Sequence, residues 1–334
     1  MERYLAVPMG ECSGVSPELI LKALRREDFG GVVVVGDENL FRKVSKDLSL
    51  PLPFTAFVSD DKALKKAQET EKVIFYHLPL IDLEKFEYGV YSSQSGDATY
   101  KCTQKAIELI HNSFCCALVT MPLDGRALKL AGYEETTYEM ILDKFSTHIT
   151  PLRMLDTCGV KIFTITPQMP IKKALSLLTF ENILDDIIKF DAITMDQKVF
   201  DQTKPLGIST LNPHHEDSES FGEEEIDAII PAVEAAKAIG IDVVGPVETY
   251  HLVQGAREGK YRAIVTLCYE QAIIASTSQD FYKTILVIWG CPFLVVSVDR
   301  GPLMNIAGRG VANAQGAIQA LKTAREYVNI GVNA

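Results

Sequence analysis

The residues best suited to chemistry lie in four short segments. The first, Gly10-Glu11-Cys12-Ser13-Gly14-Val15-Ser16-Pro17-Glu18, follows an apolar run and opens a helix. Glycines in such a turn let backbone N–H groups approach an anion at the helix N-terminus. The second, Leu211-Asn212-Pro213-His214-His215-Glu216-Asp217, ends a strand, where α/β proteins commonly bind ligands. Imidazole and carboxylate groups there are competent metal ligands, although a polar loop ahead of an acidic helix would read the same way. The third is Tyr269-Glu270-Gln271-Ala272. The fourth is Val298-Asp299-Arg300-Gly301, followed by Ile306-Ala307-Gly308-Arg309-Gly310.

These segments must be positioned by strands and helices that alternate along the chain. Apolar runs rich in β-branched residues predict strands at 4–8, 32–35, 73–76, 117–120, 161–166, 207–210, 242–244, 263–267, 285–288 and 293–298. Most run continuously apolar, as strands covered on both faces do, which predicts an α/β fold with a mostly parallel sheet. Residues 223–239 read as a helix with acids at its positive end and an apolar stripe of Ile226, Ile229, Ile230 and Val233. Pro231 is expected to bend it. Ser16 is expected to cap a helix that Pro17 and Glu18 begin. Residues 104–111 and 316–327 also have helical period.

A chain of 334 residues exceeds what one core usually covers, so two lobes are expected: 1–134 plus 300–334, and 135–299. The net charge of −11 argues against nucleic-acid binding, while leaving room for a local basic pocket that holds one phosphate. Seven scattered cysteines without a C-x-x-C pair predict reduced, mostly buried thiols. The longest apolar stretch, 284–298, is broken by Gly290, Cys291 and Pro292, so it reads as two strands, not a membrane span. The N-terminus lacks the layout of a signal peptide, and a cytoplasmic location without membrane partners is the expectation.

Order and spacing together carry more than any one segment. Gly10, Glu11, Gly14, Pro17 and Glu18 match a Gly-Glu-Pro-Ala-Gly-Ile-Gly-Pro-Glu signature, and Leu211 to His214 match Leu-Asn-Pro-His. Glu224-Glu225-Ile226-Asp227 with Ile230-Pro231, Gly245-Pro246, Val119-Thr120 with Pro122, Ala131-Gly132, Ser297-Val298-Asp299 and Ala307 to Gly310 continue the pattern in order. The chain thereby resembles the 4-hydroxythreonine-4-phosphate dehydrogenase family of vitamin B6 synthesis over nearly its whole length. The resemblance implies a two-lobed α/β/α homodimer akin to isocitrate and isopropylmalate dehydrogenases, with a cleft between the lobes. It implies hydride transfer from a secondary alcohol to NAD or NADP, with the dinucleotide near Gly10, Glu11, Gly14, Asn212 and Pro213. A divalent metal on three histidines would act as Lewis acid, and a His-Thr pair, a lysine, an asparagine and an arginine would hold a phosphorylated substrate.

The departures from that pattern fall on the chemistry. His214 keeps one metal position, whereas Gln168 and Tyr269 occupy the other two. Neutral amide and phenol oxygens are poor donors, so no tightly held zinc is expected. Among substrate positions, Thr137 and Tyr138 align with the His-Thr region, Thr277 with the lysine, Leu286 with the asparagine and Val295 with the arginine. The family's standard activity is therefore expected to be lost or altered. Two roles follow: a changed NAD(P)-dependent dehydrogenase acting on a small molecule, or a non-catalytic ligand-binding relative.

Overall fold

The computed structural model describes residues 3–146, 150–213, 222–298 and 300–332. The first stretch runs β1 (Leu5–Pro8), α1 (Ser16–Arg26), β2 (Val32–Gly36), α2 (Glu38–Leu48), β3 (Ala56–Val58), α3 (Asp61–Ala67), β4 (Val73–His77), α4 (Ser93–His111), β5 (Ala117–Thr120), α5 (Gly125–Leu130) and α6 (Tyr138–Phe145). The second runs β6 (Leu152–Thr157), β7 (Val160–Thr164), α7 (Ile171–Leu175), α8 (Phe180–Asp196), β8 (Leu206–Ser209), a π-helical turn (Glu225–Ile229), α9 (Ile230–Ala238), β9 (Val243–Val247), α10 (Thr249–Arg257), β10 (Ala263–Thr266), α11 (Tyr269–Thr277) and β11 (Ile285–Trp289). The chain closes with β12 (Leu294–Ser297) and α12 (Gln315–Asn329).

Two compact units result, one of residues 1–151 with 290–334 and one of 152–289. The boundaries fall at 151/152 and 289/290, where the sequence placed them at 134/135 and 299/300. The physical reason is pairing and packing: β12 joins β5 in parallel, and α6 lies against α4, so both belong to the first unit.

In the first unit the strand order is β3-β4-β2-β1-β5-β12, and every pair is parallel. Its central strands are fully buried, Val32–Gly36 being the plainest case. Apolar side chains on both faces require helices on both faces, which is why these runs do not alternate. In the second unit the order is β11-β6-β7-β10-β8-β9. β6 pairs antiparallel with both β11 and β7, and the rest are parallel.

Two helix starts differ from expectation. Ser16 lies inside α1 and not at its cap; Val15 is the cap, and the Ser16 hydroxyl instead donates to the Pro122 carbonyl at 2.9 Å. Residues 223–239 are not one regular α-helix, because a π turn ends just before Pro231. Proline lacks an N–H and presses on the carbonyl four residues earlier, and one π turn precedes it, with Ile230 N–H donating to Glu225 O. The buried face there is Glu225, Ala228, Ile229, Ala232, Val233 and Ala236, while Ile226 and Ile230 are exposed. Among the described residues no helix is long and apolar enough to cross a membrane. All seven cysteines are free, and five of them are buried.

Candidate functional site

In the first unit the candidate residues gather at the carboxyl ends of β1, β5 and β12. The loop after β1 is fastened to its neighbours. Glu11 N–H donates to Pro122 O at 2.8 Å, Ser13 N–H to Glu11 Oε1 at 2.9 Å, and Val15 N–H to Pro302 O at 2.9 Å. Gly14 N–H reaches Glu11 O at 3.3 Å. Four amides expected to face an anion thus already have partners within the chain.

The glycines have a different physical cause. Gly10 holds φ of 69°, and a Cβ there would stand 2.7 Å from Pro122 O. A Cβ on Gly14 would stand 2.5 Å from Pro302 O. Close backbone approach explains both, to Pro122 beyond β5 for Gly10 and to Pro302 beyond β12 for Gly14. Glu11 itself is fully buried, and burial raises its carboxyl above the ordinary value, opposed by hydrogen bonds from Ser13 and Ser95.

The substrate-aligned residues of this unit separate. Thr137 is exposed and caps α6, accepting from Met140 N–H at 3.3 Å. Tyr138 points inward, its hydroxyl donating to Met121 O at 2.6 Å. Val295 is wholly buried in β12 beside Leu118 of β5. Nearby, Arg126 pairs with Asp124 at 2.8 Å and lies over the Tyr91 ring at 4.1 Å.

In the second unit three adjacent parallel strands, β7, β10 and β8, deliver the candidates at their carboxyl ends. Gln168 follows β7 and is exposed, Tyr269 opens α11 after β10, and Leu211-Asn212-Pro213 follows β8. His214, expected from the resemblance at a metal position, lies outside the described residues, as do His215, Glu216, Asp217 and Asp299. Among the described residues no group of three His, Cys, Asp or Glu side chains is placed to hold a metal. Thr277 bonds within its own helix, donating to Ile273 O at 2.6 Å. Leu286 is buried in β11 opposite Leu155.

Two residues that the sequence did not single out organise this half. Glu225, 1% exposed, accepts from Leu211 N–H and Asn212 N–H at 2.8 Å each and from Asn212 Nδ2 at 2.7 Å. Gln271 accepts from Leu267 and Cys268 N–H at 3.1 and 3.3 Å and donates to Thr210 O at 2.9 Å. Glu225 read as one of the acids at the positive end of a helix, and Gln271 had no role assigned to it. A buried acid or half-buried amide at a helix start, three hydrogen bonds deep, has no period of its own to reveal it.

The arrangement gives two sets of loops at strand carboxyl ends, the usual place for ligands in α/β sheets. Comparison with known proteins points the same way. The sequence pattern of the family described as "Pyridoxal phosphate biosynthetic protein PdxA" matches residues 28–324. A protein of Fusobacterium nucleatum subsp. nucleatum, named "Putative D-threonate 4-phosphate dehydrogenase", is 31% identical over 332 residues and 98% of each chain. One of the same name from Halalkalibacterium halodurans is 30% identical over 327 residues, 97% of this chain and 96% of that one. The crystal structure of a 4-hydroxythreonine-4-phosphate dehydrogenase from Klebsiella pneumoniae superposes with a TM-score of 0.83, at 26% identity, over 98% of both chains.

Proposed function

This chain belongs to the PdxA family, and from that premise we propose that it is an altered dehydrogenase. In this reading it accepts NAD or NADP and a small hydroxy acid, without the three-histidine metal or the phosphate-binding arginine of its relatives. The observation that carries the reading is Val295, whose side chain is entirely buried within β12. The family pattern has an arginine at this position, a planar fork of donors suited to a phosphate, whereas valine packed among apolar side chains offers none. Leu286 repeats the change, an apolar side chain packed in β11 at the asparagine position.

The metal donors agree. Gln168 supplies a neutral amide, and Tyr269 a phenol with an ordinary pKa of about 10. With His214 as the single imidazole, this set does not fit a tightly held divalent ion. A substrate lacking the phosphate of D-threonate 4-phosphate suits the apolar positions better, and a homodimer is the assembly proposed by family likeness.

The test is a dinucleotide-coupled assay on 4-hydroxythreonine 4-phosphate and on D-threonate 4-phosphate, with added zinc, magnesium or manganese. No turnover is expected; turnover at a rate ordinary for such enzymes sinks the proposal. Thermal unfolding with NAD or NADP separates the enzyme from a non-catalytic relative, because a ligand of the folded state raises the midpoint.

A further inference from the structure

We propose that Glu225 is a positioning residue that locks the Asn212 amide, so that only its oxygen faces a ligand. The idea rests on the dinucleotide-accepting reading above. The geometry lies wholly within the second unit. Glu225 Oε1 takes the two backbone N–H groups of Leu211 and Asn212, and Oε2 takes Asn212 Nδ2. Asn212 Nδ2 also reaches Glu224 Oε2 at 3.0 Å. A third side is closed by backbone: a Cβ on Gly222 would stand 2.1 Å from Asn212 Nδ2 and 2.9 Å from Glu225 Oε2.

Carboxylates accept hydrogen bonds and cannot donate them, so the amide nitrogen, not its oxygen, must face Glu224 and Glu225. Both amide hydrogens are then engaged. The remaining polar atom, Oδ1, can only accept. A dinucleotide meeting Asn212 must therefore bring a donor, such as a ribose hydroxyl or a base amino group, and not a phosphate. A buried carboxylate with three donors is also a stiff anchor, since breaking the set leaves a charge without partners. The π turn that begins at Glu225 sits where such turns often mark function.

The experiment compares the full-length protein with Glu225→Gln, Asn212→Asp and the double variant. NADH titration gives affinity, thermal unfolding gives folding, and exchange of the Asn212 side-chain amide protons reports the lock directly. In the unmodified protein without ligand, those protons should exchange at least about tenfold more slowly than in a free amide. Glu225→Gln should abolish the protection and weaken NADH by about tenfold. Asn212→Asp should weaken NADH similarly, because it sets a third carboxylate against two.

In the double variant the glutamine amide donates to the new aspartate, restoring the Glu225 contact with donor and acceptor exchanged, while Glu224 still opposes the aspartate. NADH affinity should recover by at least about threefold from that of Asn212→Asp alone. Unprotected amide protons, unchanged affinity in the single variants, or no recovery in a folded double variant would overturn the positioning role. Protected protons in a protein that binds no NADH would instead sink the dinucleotide reading alone.

Discussion

Gln271 spans two neighbouring strands, its side-chain nitrogen donating to the Thr210 carbonyl at the end of β8 while its oxygen accepts from two amides at the end of β10. One residue therefore fixes the relative height of the loops that carry Tyr269 and Asn212. Those loops lie at the carboxyl ends of the second unit's parallel strands, where α/β sheets usually bind ligands.

Replacing that amide should loosen both loops together. Gln271→Ala removes three hydrogen bonds and leaves the amides of the buried Leu267 and Cys268 without their acceptor. A loss of about 2–3 kcal/mol is expected, given about 1 kcal/mol for each such bond and more for a donor left unsatisfied. Denaturant unfolding measures it, and a loss under about 0.5 kcal/mol would remove Gln271 from this role.

Glu11 supplies a pH signature. Burial raises its carboxyl above the ordinary value of 4.5, and the charge of Asp124 adds to the effect. A folded chain that holds this proton more tightly than the unfolded one gains stability from it at low pH. The gain is complete below the unfolded value and disappears as pH rises through the folded one. Glu11→Gln has no such proton and keeps an acceptor for Ser13 N–H. Its stability relative to the original protein should therefore improve between about pH 4 and about pH 8. Urea midpoints at the two pH values decide it; a constant difference would exclude Glu11 as the source.

The parallel framework was readable because fully covered strands are continuous apolar runs, and Val32 to Val35 could hardly be anything else. Two strands escaped the sequence for physical reasons. β3 is three residues long at a sheet edge and only partly buried. β6 mixes Arg153 and Asp156 with apolar residues because its antiparallel setting leaves some positions half-exposed. The helix over 223–239 was legible, and of its apolar stripe Ile229 and Val233 are buried while Ile226 and Ile230 are exposed. The site was legible as motif positions and not as contacts. Gly10 and Gly14 read as an anion loop, whereas close backbone packing accounts for them, because the partners Pro122 and Pro302 lie more than a hundred residues away. Glu225 and Gln271 stayed hidden for a related reason: their hydrogen bonds join segments that only the fold brings together.

The two glycines in the first and fourth segments give a matched pair. A Cβ on Gly14 would stand 2.5 Å from the Pro302 carbonyl, a backbone atom with no rotamer to escape into, whereas a Cβ on Gly301 meets nothing within 4 Å. Gly14→Ala should cost about 1–3 kcal/mol through forced separation of the loops. Gly301→Ala should stay within about 0.5 kcal/mol of the original. Thermal midpoints of the two variants test the packing account, and equal values would refute it.

The metal positions allow a gain-of-function test that depends on donor chemistry alone. Gln168 is exposed beyond β7, and Tyr269 opens α11 beyond β10, so neither substitution disturbs a packed core. Replacing both with histidine adds two imidazoles to the set that already contains His214. Neutral imidazole binds zinc far better than amide or phenol oxygen, and three such ligands form an ordinary zinc site. The double variant Gln168→His with Tyr269→His should bind zinc at least about tenfold more tightly than the original protein, as measured by competition with a chromophoric chelator. Val295→Arg has no such freedom. It would bury a guanidinium without a partner inside β12, at a cost of about 3–5 kcal/mol, so a folded, phosphate-binding Val295→Arg protein is not expected. If the unaltered chain already binds zinc as tightly as the double variant, the weak-donor account of Gln168 and Tyr269 is wrong, and the standard metal-assisted reaction returns as the leading reading.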